Sequence, residues 1–244
     1  EVLPFTIGKE KAVEQFMAWV KRKRFVPKAF FSKNEIDEMT GVYYPHFVTD
    51  VELDASYEGE ARDTSVMDTP KYIVTSTRHF AIRREGSVRF RGVMRPALKS
   101  QDRKLSDGIH PFPLEEAQPF SSAYLSGFLA ERRDLTADEA TADVENELNG
   151  YLRPLLERGV QHESCTGSAS GSIRGKKSRY VLLPTWVLTY PGKDQKEPYY
   201  YAMNGRTGEV CGKLPIDKGR LLGFSAMLGA GVFALLCLAG YFLY

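Results

Sequence analysis

The chain has 244 residues, 43% of them hydrophobic and 26% charged, with 33 basic against 31 acidic side chains and a formal net charge of +2. That balance excludes a chain too polar to fold, and it excludes recognition of a partner through global charge alone. Cys165, Cys211 and Cys237 are too few and too scattered for a disulfide framework or a CxxC metal pair, in keeping with a reducing compartment.

Residues 2–7 form a short apolar run that predicts a strand. Ala12, Val13, Phe16, Met17, Trp19 and Val20 then recur at helical spacing and predict a helix over 9–23. Lys21, Arg22, Lys23 and Arg24 close it, where cations complement the helix dipole; the run reads as a solvated helix end, with a lipid-headgroup contact as the alternative on a tethered domain. Pro27 stops the helix. Residues 35–44 read as a strand approaching Pro45. From 47 to 58, Phe47, Val51, Leu53, Ala55 and Tyr57 alternate with Asp50, Glu52, Asp54, Ser56 and Glu58, the pattern of an antiparallel strand with one wet face. Residues 71–84 and 87–94 predict a hairpin turning at Glu85-Gly86, and 97–119 an irregular connector with Pro111, Pro113 and Pro119.

In the second half, 120–133 predicts a helix, and Thr136 with Glu139 is a capping-box signature. A helix from Ala137 carries Ala140, Val144, Leu148, Leu152 and Leu155, with Gly150 and Pro154 expected to kink or split it. The Gly/Ser/Lys-rich stretch 164–178 predicts a mobile loop. Residues 179–190 predict a buried strand with a bulge or bend at Pro184. Residues 199–203 and 209–214 predict a hairpin around Asn204-Gly205-Arg206-Thr207-Gly208. Both halves run from helix to a strand with a proline-aromatic centre and on to a meander. The expected fold is therefore α+β: two similar helix-plus-antiparallel-sheet units, 1–110 and 111–220, followed by a transmembrane helix, 221–244.

That last stretch contains no charged residue, and a bilayer core takes about 20 apolar residues as a helix. Leu221, Phe224, Leu228, Phe233, Leu236 and Tyr241 are its expected lipid contacts, with Tyr241, Phe242 and Tyr244 as an aromatic belt. Ala226, Ala230 and Ala234 recur at i, i+4, i+8 near Gly223, Gly229 and Gly231, a spacing that permits close helix–helix packing and is also ordinary membrane-helix composition. Lys213, Lys218 and Arg220 precede the span and no basic residue follows, which places 1–220 in the cytosol at the cell membrane. The opening on Glu1 and the close inside apolar sequence carry the expectation of further sequence at both ends.

Between 62 and 104, bases far outnumber acids. Arg78, Arg83, Arg84, Arg89 and Arg91 are the candidate ligands for an anion, whether nucleic acid or lipid headgroup, because phosphate neutralisation needs clustered cations. The competing reading is a charged edge hairpin that resists aggregation. His46, His79, His110 and His162 lack metal or triad spacing, Cys165 reads as an incidental thiol, and Asp50, Glu52 and Asp54 as the wet face of a strand. No catalytic or cofactor motif stands out, so a non-enzyme is expected.

The segments Tyr180-Val181-Leu182-Leu183-Pro184-Thr185-Trp186, Tyr200-Tyr201-Ala202-Met203-Asn204-Gly205-Arg206-Thr207-Gly208-Glu209-Val210 and Leu214-Pro215-Ile216-Asp217-Lys218-Gly219-Arg220 are distinctive. With Leu3-Pro4-Phe5, Gly41-Val42-Tyr43-Tyr44-Pro45 and the run from Pro119 to Phe128, the chain resembles a family of uncharacterised Gram-positive bacterial membrane proteins. These typically carry an N-terminal zinc ribbon of the transcription-factor-B type. The resemblance implies zinc upstream of Glu1; the ribbon's cysteines are not in this chain, and no cofactor is expected within it. The Thr207-Gly208-Glu209-Val210 turn also resembles a PepSY or cystatin-like hairpin. Two functions follow as expectations. One is a membrane-anchored cytosolic binding or scaffold protein that meets the bilayer and a protein partner or a second copy. The other is a nucleic-acid-associated membrane protein using the Arg-rich hairpin and an upstream ribbon.

Overall fold

The computed structural model describes residues 1–27, 38–190 and 199–243. In chain order these form α1 (Lys9–Lys21), β1 (Thr40–Asp68), β2 (Ile73–Pro96), α2 (Arg103–Asp107), β3 (Leu129–Ala130), α3 (Ala137–Ala140), α4 (Val144–Glu157), β4 (Ser164–Tyr190), β5 (Tyr199–Asn204), β6 (Val210–Lys213) and α5 (Lys218–Leu243). The sheet runs β2-β1-β4-β5-β6, and β3 adds a short parallel pair to β1. The fold is mixed α/β, with an antiparallel sheet and a C-terminal apolar helix. Contacts divide it into two units: Glu1–Tyr44 with Ser100–Glu131 and Leu182–Tyr244, and Pro45–Lys99 with Arg132–Val181. The expected boundary at 110/111 falls inside the first unit, and β1 and β4 each contribute to both.

In the first unit the apolar stripe of α1 buries Ala12, Phe16 and Val20 against Trp186, Leu188, Tyr201 and Met203. The Trp186 indole N–H donates to the Ile7 carbonyl at 2.9 Å. Phe5 stacks on Phe128 at 4.2 Å and meets Tyr43 and Trp186 edge-on. These rings draw in the N-terminal segment, which makes only isolated bridges, Val2 with Gln118 and with Leu182, where a strand was expected. Asn204 organises the turn between β5 and β6. Its side-chain NH2 donates to the Ile109 and Pro111 carbonyls at 2.9 and 3.0 Å, and its oxygen accepts from the Arg206 and Thr207 amides at 2.9 and 3.1 Å. The turn behind the family resemblance is thus a structural hub.

In the second unit Val144, Leu148 and Leu152 of α4 pack on Val51, Leu53 and Ala55 of β1, flanked by Val88 and Phe90 of β2 and Ala169 and Ile173 of β4. Removing a side chain as buried as Leu152 costs about 2–5 kcal/mol at such a site. Arg95, nearly buried, ties the end of β2 to Glu147 at 2.6 Å and to Asp143 at 3.4 Å. The capping box at Thr136 and Glu139 forms as expected.

Four further expectations are corrected. The chain does not turn at Glu85-Gly86; β2 passes through, pairing Ser56 with Glu85 and Ala55 with Gly86. The turn lies at residues 69–72, where Thr69 and Tyr72 hold each other by three hydrogen bonds around Pro70. Residues 120–133 form a single 3-10 turn (Ser122–Leu125) and β3 rather than a helix, because Phe128 is pulled into the aromatic cluster of the first unit. The helical stretch after Ala137 divides at residues 141–143, and α4 then continues through both Gly150 and Pro154.

The fourth correction is the largest. The expected loop 164–178 is the first half of β4. Cys165, Gly167, Ala169, Gly171, Ile173 and Gly175 are half-buried, and the residues between them, from Thr166 to Arg174, are exposed. This is strand alternation carried by small residues. A Cβ on Gly167 would sit 2.5 Å from both the Glu58 carbonyl oxygen and the Tyr57 hydroxyl. The glycine allows close approach here, not looseness.

Candidate functional site

The candidate surfaces grow out of the β1–β2 pairing. Strand alternation sends successive side chains to opposite faces, so neighbouring arginines separate. Arg83 and Arg89 stand on the wet face, where Arg83 pairs with Glu85 at 2.7 Å and Arg89 with Glu52 at 3.2 Å. The Arg89 guanidinium and the Ser87 hydroxyl hold the Glu52 carboxyl below its usual pKa. Arg84 points to the other face and donates to the Leu156 and Arg158 carbonyls at 2.8 and 2.9 Å, capping the end of α4. Arg78 lies opposite Asp63 in the register. Arg91 sits at a bulge, beside Gly92 with φ +68°, whose amide donates to Asp50. The five therefore do not make one cluster. Arg89 and Arg91 do meet Lys176 and Lys177 of β4, around an open cavity of about 460 Å³ that also has Asp50 and Glu52 in its wall.

Past Thr64, β1 and β2 continue as a two-stranded ribbon. β4 starts at Ser164, level with Asp63 and Thr64; there the Glu163 carboxylate accepts from the Thr64 amide, and the Glu163 amide donates to Asp63. The ribbon end carries Val66, Met67, Tyr72, Ile73 and Val74, all exposed, four of them to 64–67%. With the turn expected at Glu85-Gly86 this patch is not visible in the sequence; its signal is the Val66-Met67 and Tyr72-Ile73-Val74 runs flanking Thr69-Pro70.

At the base of the ribbon His162, unpaired in sequence, bonds Asp63 at 3.0 Å and stacks on Phe80 at 4.6 Å. Its hydrogen bond keeps the Asp63 carboxyl below the usual range. Next to it, the buried Tyr57 hydroxyl donates to Glu157 at 3.0 Å and lies 3.0 Å from the Cys165 sulfur. Contact with Cys165, burial and Glu157 together raise the tyrosine pKa, while Arg153 at 2.8 Å lowers that of Glu157. Cys165 is thus a strand residue in a polar cluster rather than a loop thiol. His46 is buried and His110 half-buried, in different units, and His79 lies opposite Arg62. Among the described residues no group of three or more His, Cys, Asp or Glu is placed to hold a metal ion.

In α5 the stretch Lys218–Tyr241 is long and apolar enough to cross a membrane, with a mean hydropathy of 2.2, and none of it is buried by the rest of the chain. Leu221, Phe224, Leu228, Phe233, Leu236 and Tyr241 are all exposed on it. Ala226, Ala230 and Ala234 share one stripe of the same exposed helix, and Tyr244 lies outside the described residues.

An apolar single helix joined to a folded α/β body is the class of molecule this describes. Compared with known proteins, the chain is 29% identical over 240 residues to the uncharacterized protein YdjG of Bacillus subtilis (strain 168), a match covering 96% of this chain and 68% of that protein. No family model matches the chain, and no solved structure matches it.

Proposed function

We propose that the chain is a membrane-anchored cytosolic binding or scaffold protein, with α5 as the anchor and the two helix-plus-sheet units as the binding body. The reading rests above all on α5, an apolar helix long enough to cross a membrane with none of its apolar stretch buried. Lys213, Lys218 and Arg220 on its N-terminal side favour a cytosolic body. The apolar end of the β1–β2 ribbon is the surface offered to a protein partner, since exposed apolar patches mark interaction sites. The test is purification of the full chain from membranes in mild detergent, with and without nuclease, beside a Met67→Glu/Ile73→Glu variant. Nuclease-resistant partners held by the wild type and lost by the variant support the proposal. Identical recoveries from both proteins overturn the role of the ribbon, and a chain washed from membranes by alkali overturns the anchor.

A second reading is favoured by the meeting of Arg89, Arg91, Lys176 and Lys177 at one cavity. It is a nucleic-acid-associated membrane protein, with the zinc ribbon upstream that the family resemblance implies. Binding would then weaken steeply with salt and fall on charge removal at Arg89 and Arg91 irrespective of base sequence. Salt-independent or absent binding excludes it.

A further inference from the structure

The end of α1 and the approach to α5 meet within the first unit. The Asp217 amide donates to the Phe25 carbonyl at 2.7 Å, and the Phe25 ring meets Phe224, in the second turn of α5, at 5.6 Å. Beside this junction lies an open cavity of about 430 Å³. Its wall combines Trp19 and the cations Arg22, Lys23 and Arg24 with the apolar Leu214 and Ile216. Lys23 stands over the Trp19 ring at 5.3 Å. None of the three cations has a carboxylate partner among the described residues, whereas Asp217 is matched with Arg220 at 3.4 Å.

We infer that this cavity binds the phosphate group of an anionic phospholipid. Four observations converge on that ligand class. The cavity adjoins the residues where charge ends and apolar sequence begins, so on the membrane-anchored reading, on which this inference rests, it lies at headgroup depth. Its cations have no carboxylate partner among the described residues, and juxtamembrane Lys and Arg attract anionic headgroups. Trp19 suits the same interface, apolar in body and polar at its tip. Leu214 and Ile216 supply a wall for the first methylenes, and the volume lies in the range of small-ligand sites. The run Lys21–Arg24 is thereby more than a solvated helix end: α1 delivers its cations to the place where the chain enters the bilayer.

The test uses the full chain, delipidated in nonionic detergent and titrated with phosphatidylglycerol or phosphatidylcholine bearing brominated acyl chains. Trp19 fluorescence is the readout; Trp186, the only other tryptophan, is nearly buried, and Trp19→Phe supplies the background. Quenching by phosphatidylglycerol at least about tenfold more efficient than by phosphatidylcholine is expected, with that preference lost in Arg22→Gln/Lys23→Gln/Arg24→Gln. Inorganic phosphate should compete only weakly. Equal quenching by the two lipids, or an unchanged preference in the triple variant, overturns the inference. Full displacement by inorganic phosphate overturns the lipid source. Alkaline extraction of membranes carrying the same variant reads the anchor separately: retention with lost lipid preference separates the cavity from α5, and release of both proteins faults the anchor instead.

Discussion

Replacing Gly167 with alanine should destabilise the folded chain by about 1–3 kcal/mol, the cost of forcing atoms into a filled interior. The added Cβ would stand 2.5 Å from the Glu58 carbonyl oxygen, and backbone cannot withdraw without breaking the ladder. On its other side is the Tyr57 hydroxyl, itself fixed by Glu157 at 3.0 Å. The same substitution at Gly171 meets the end of the Leu152 side chain at 2.6 Å, which can rotate, so the cost there should be smaller. At Gly175 nothing lies within 4 Å of the added atom, and Gly175→Ala should be neutral or stabilising by up to about 1 kcal/mol. Thermal unfolding of the three full-length variants in detergent, followed by near-ultraviolet circular dichroism, gives the order directly. One kcal/mol corresponds to roughly 2–4 °C for a body of this size. If Gly167→Ala and Gly175→Ala unfold within about a degree of each other, 164–178 is the mobile loop its composition suggests and the strand argument fails.

Tyr201 carries a buried hydroxyl without a hydrogen-bond partner among the described residues, and burial raises its pKa, so Tyr201→Phe should stabilise by about 1 kcal/mol in a urea titration; a loss would mean that the hydroxyl is satisfied. Asn204→Ala strands the Ile109 and Pro111 carbonyls and two turn amides, and should cost about 2–4 kcal/mol by the same titration; a neutral result would refute the hub. Arg84→Gln should lower stability by about 1–2 kcal/mol through the uncapped end of α4, while Arg83→Gln, on an exposed ion pair, should stay within about 0.5 kcal/mol; equal effects would argue against the division of the arginines by face. Melting temperature should fall in two stages on acidification. Burial pushes His110 below 6.5, so the folded state binds fewer protons than the unfolded and stability starts to decline below about pH 6.5. Asp63 and Asp102, held low by His162 and by the Tyr200 hydroxyl respectively, stabilise above the unfolded value near 3.8, and that contribution is lost as pH falls through their folded values. A flat profile between pH 7 and about 5 would remove His110 from this account.

The features legible in the sequence were those written in large side chains. The alternation from Phe47 to Glu58, the stripe Ala12-Phe16-Val20 and the charge-free stretch after Arg220 each specify an element by burial period or by length. The register of β1 with β2 was not legible, because Glu85-Gly86 has turn composition and only its partners Ala55 and Ser56 hold it extended. The first half of β4 was hidden for a related reason. Its inward positions are cysteine, glycine and alanine with one large side chain, Ile173, and a pattern made mostly of missing side chains registers as flexibility. The arginine group was legible as composition only; the alternation that divides it depended on knowing that 73–96 is one strand. The cavity beside α5 needed two segments nearly 190 residues apart in sequence, Trp19 to Val26 and Gly212 to Ile216, and the cation run alone did not disclose the wall facing it.

The order in which the two units close during synthesis follows from how their segments interleave. Everything the second unit needs has left the ribosome once residue 181 is free, so its helix α4 can settle on β1, β2 and β4 while the chain is still growing. The first unit must wait for Trp186, Tyr201 and Met203, and its Asn204 turn is finished about a dozen residues before the apolar run of α5 begins. Until then Phe16 and Val20 have no sheet to cover them. The last folding step of the body and the emergence of α5 thus fall in nearly the same interval. A truncation that removes the chain from Trp186 onward would take the core of its oldest segment with it.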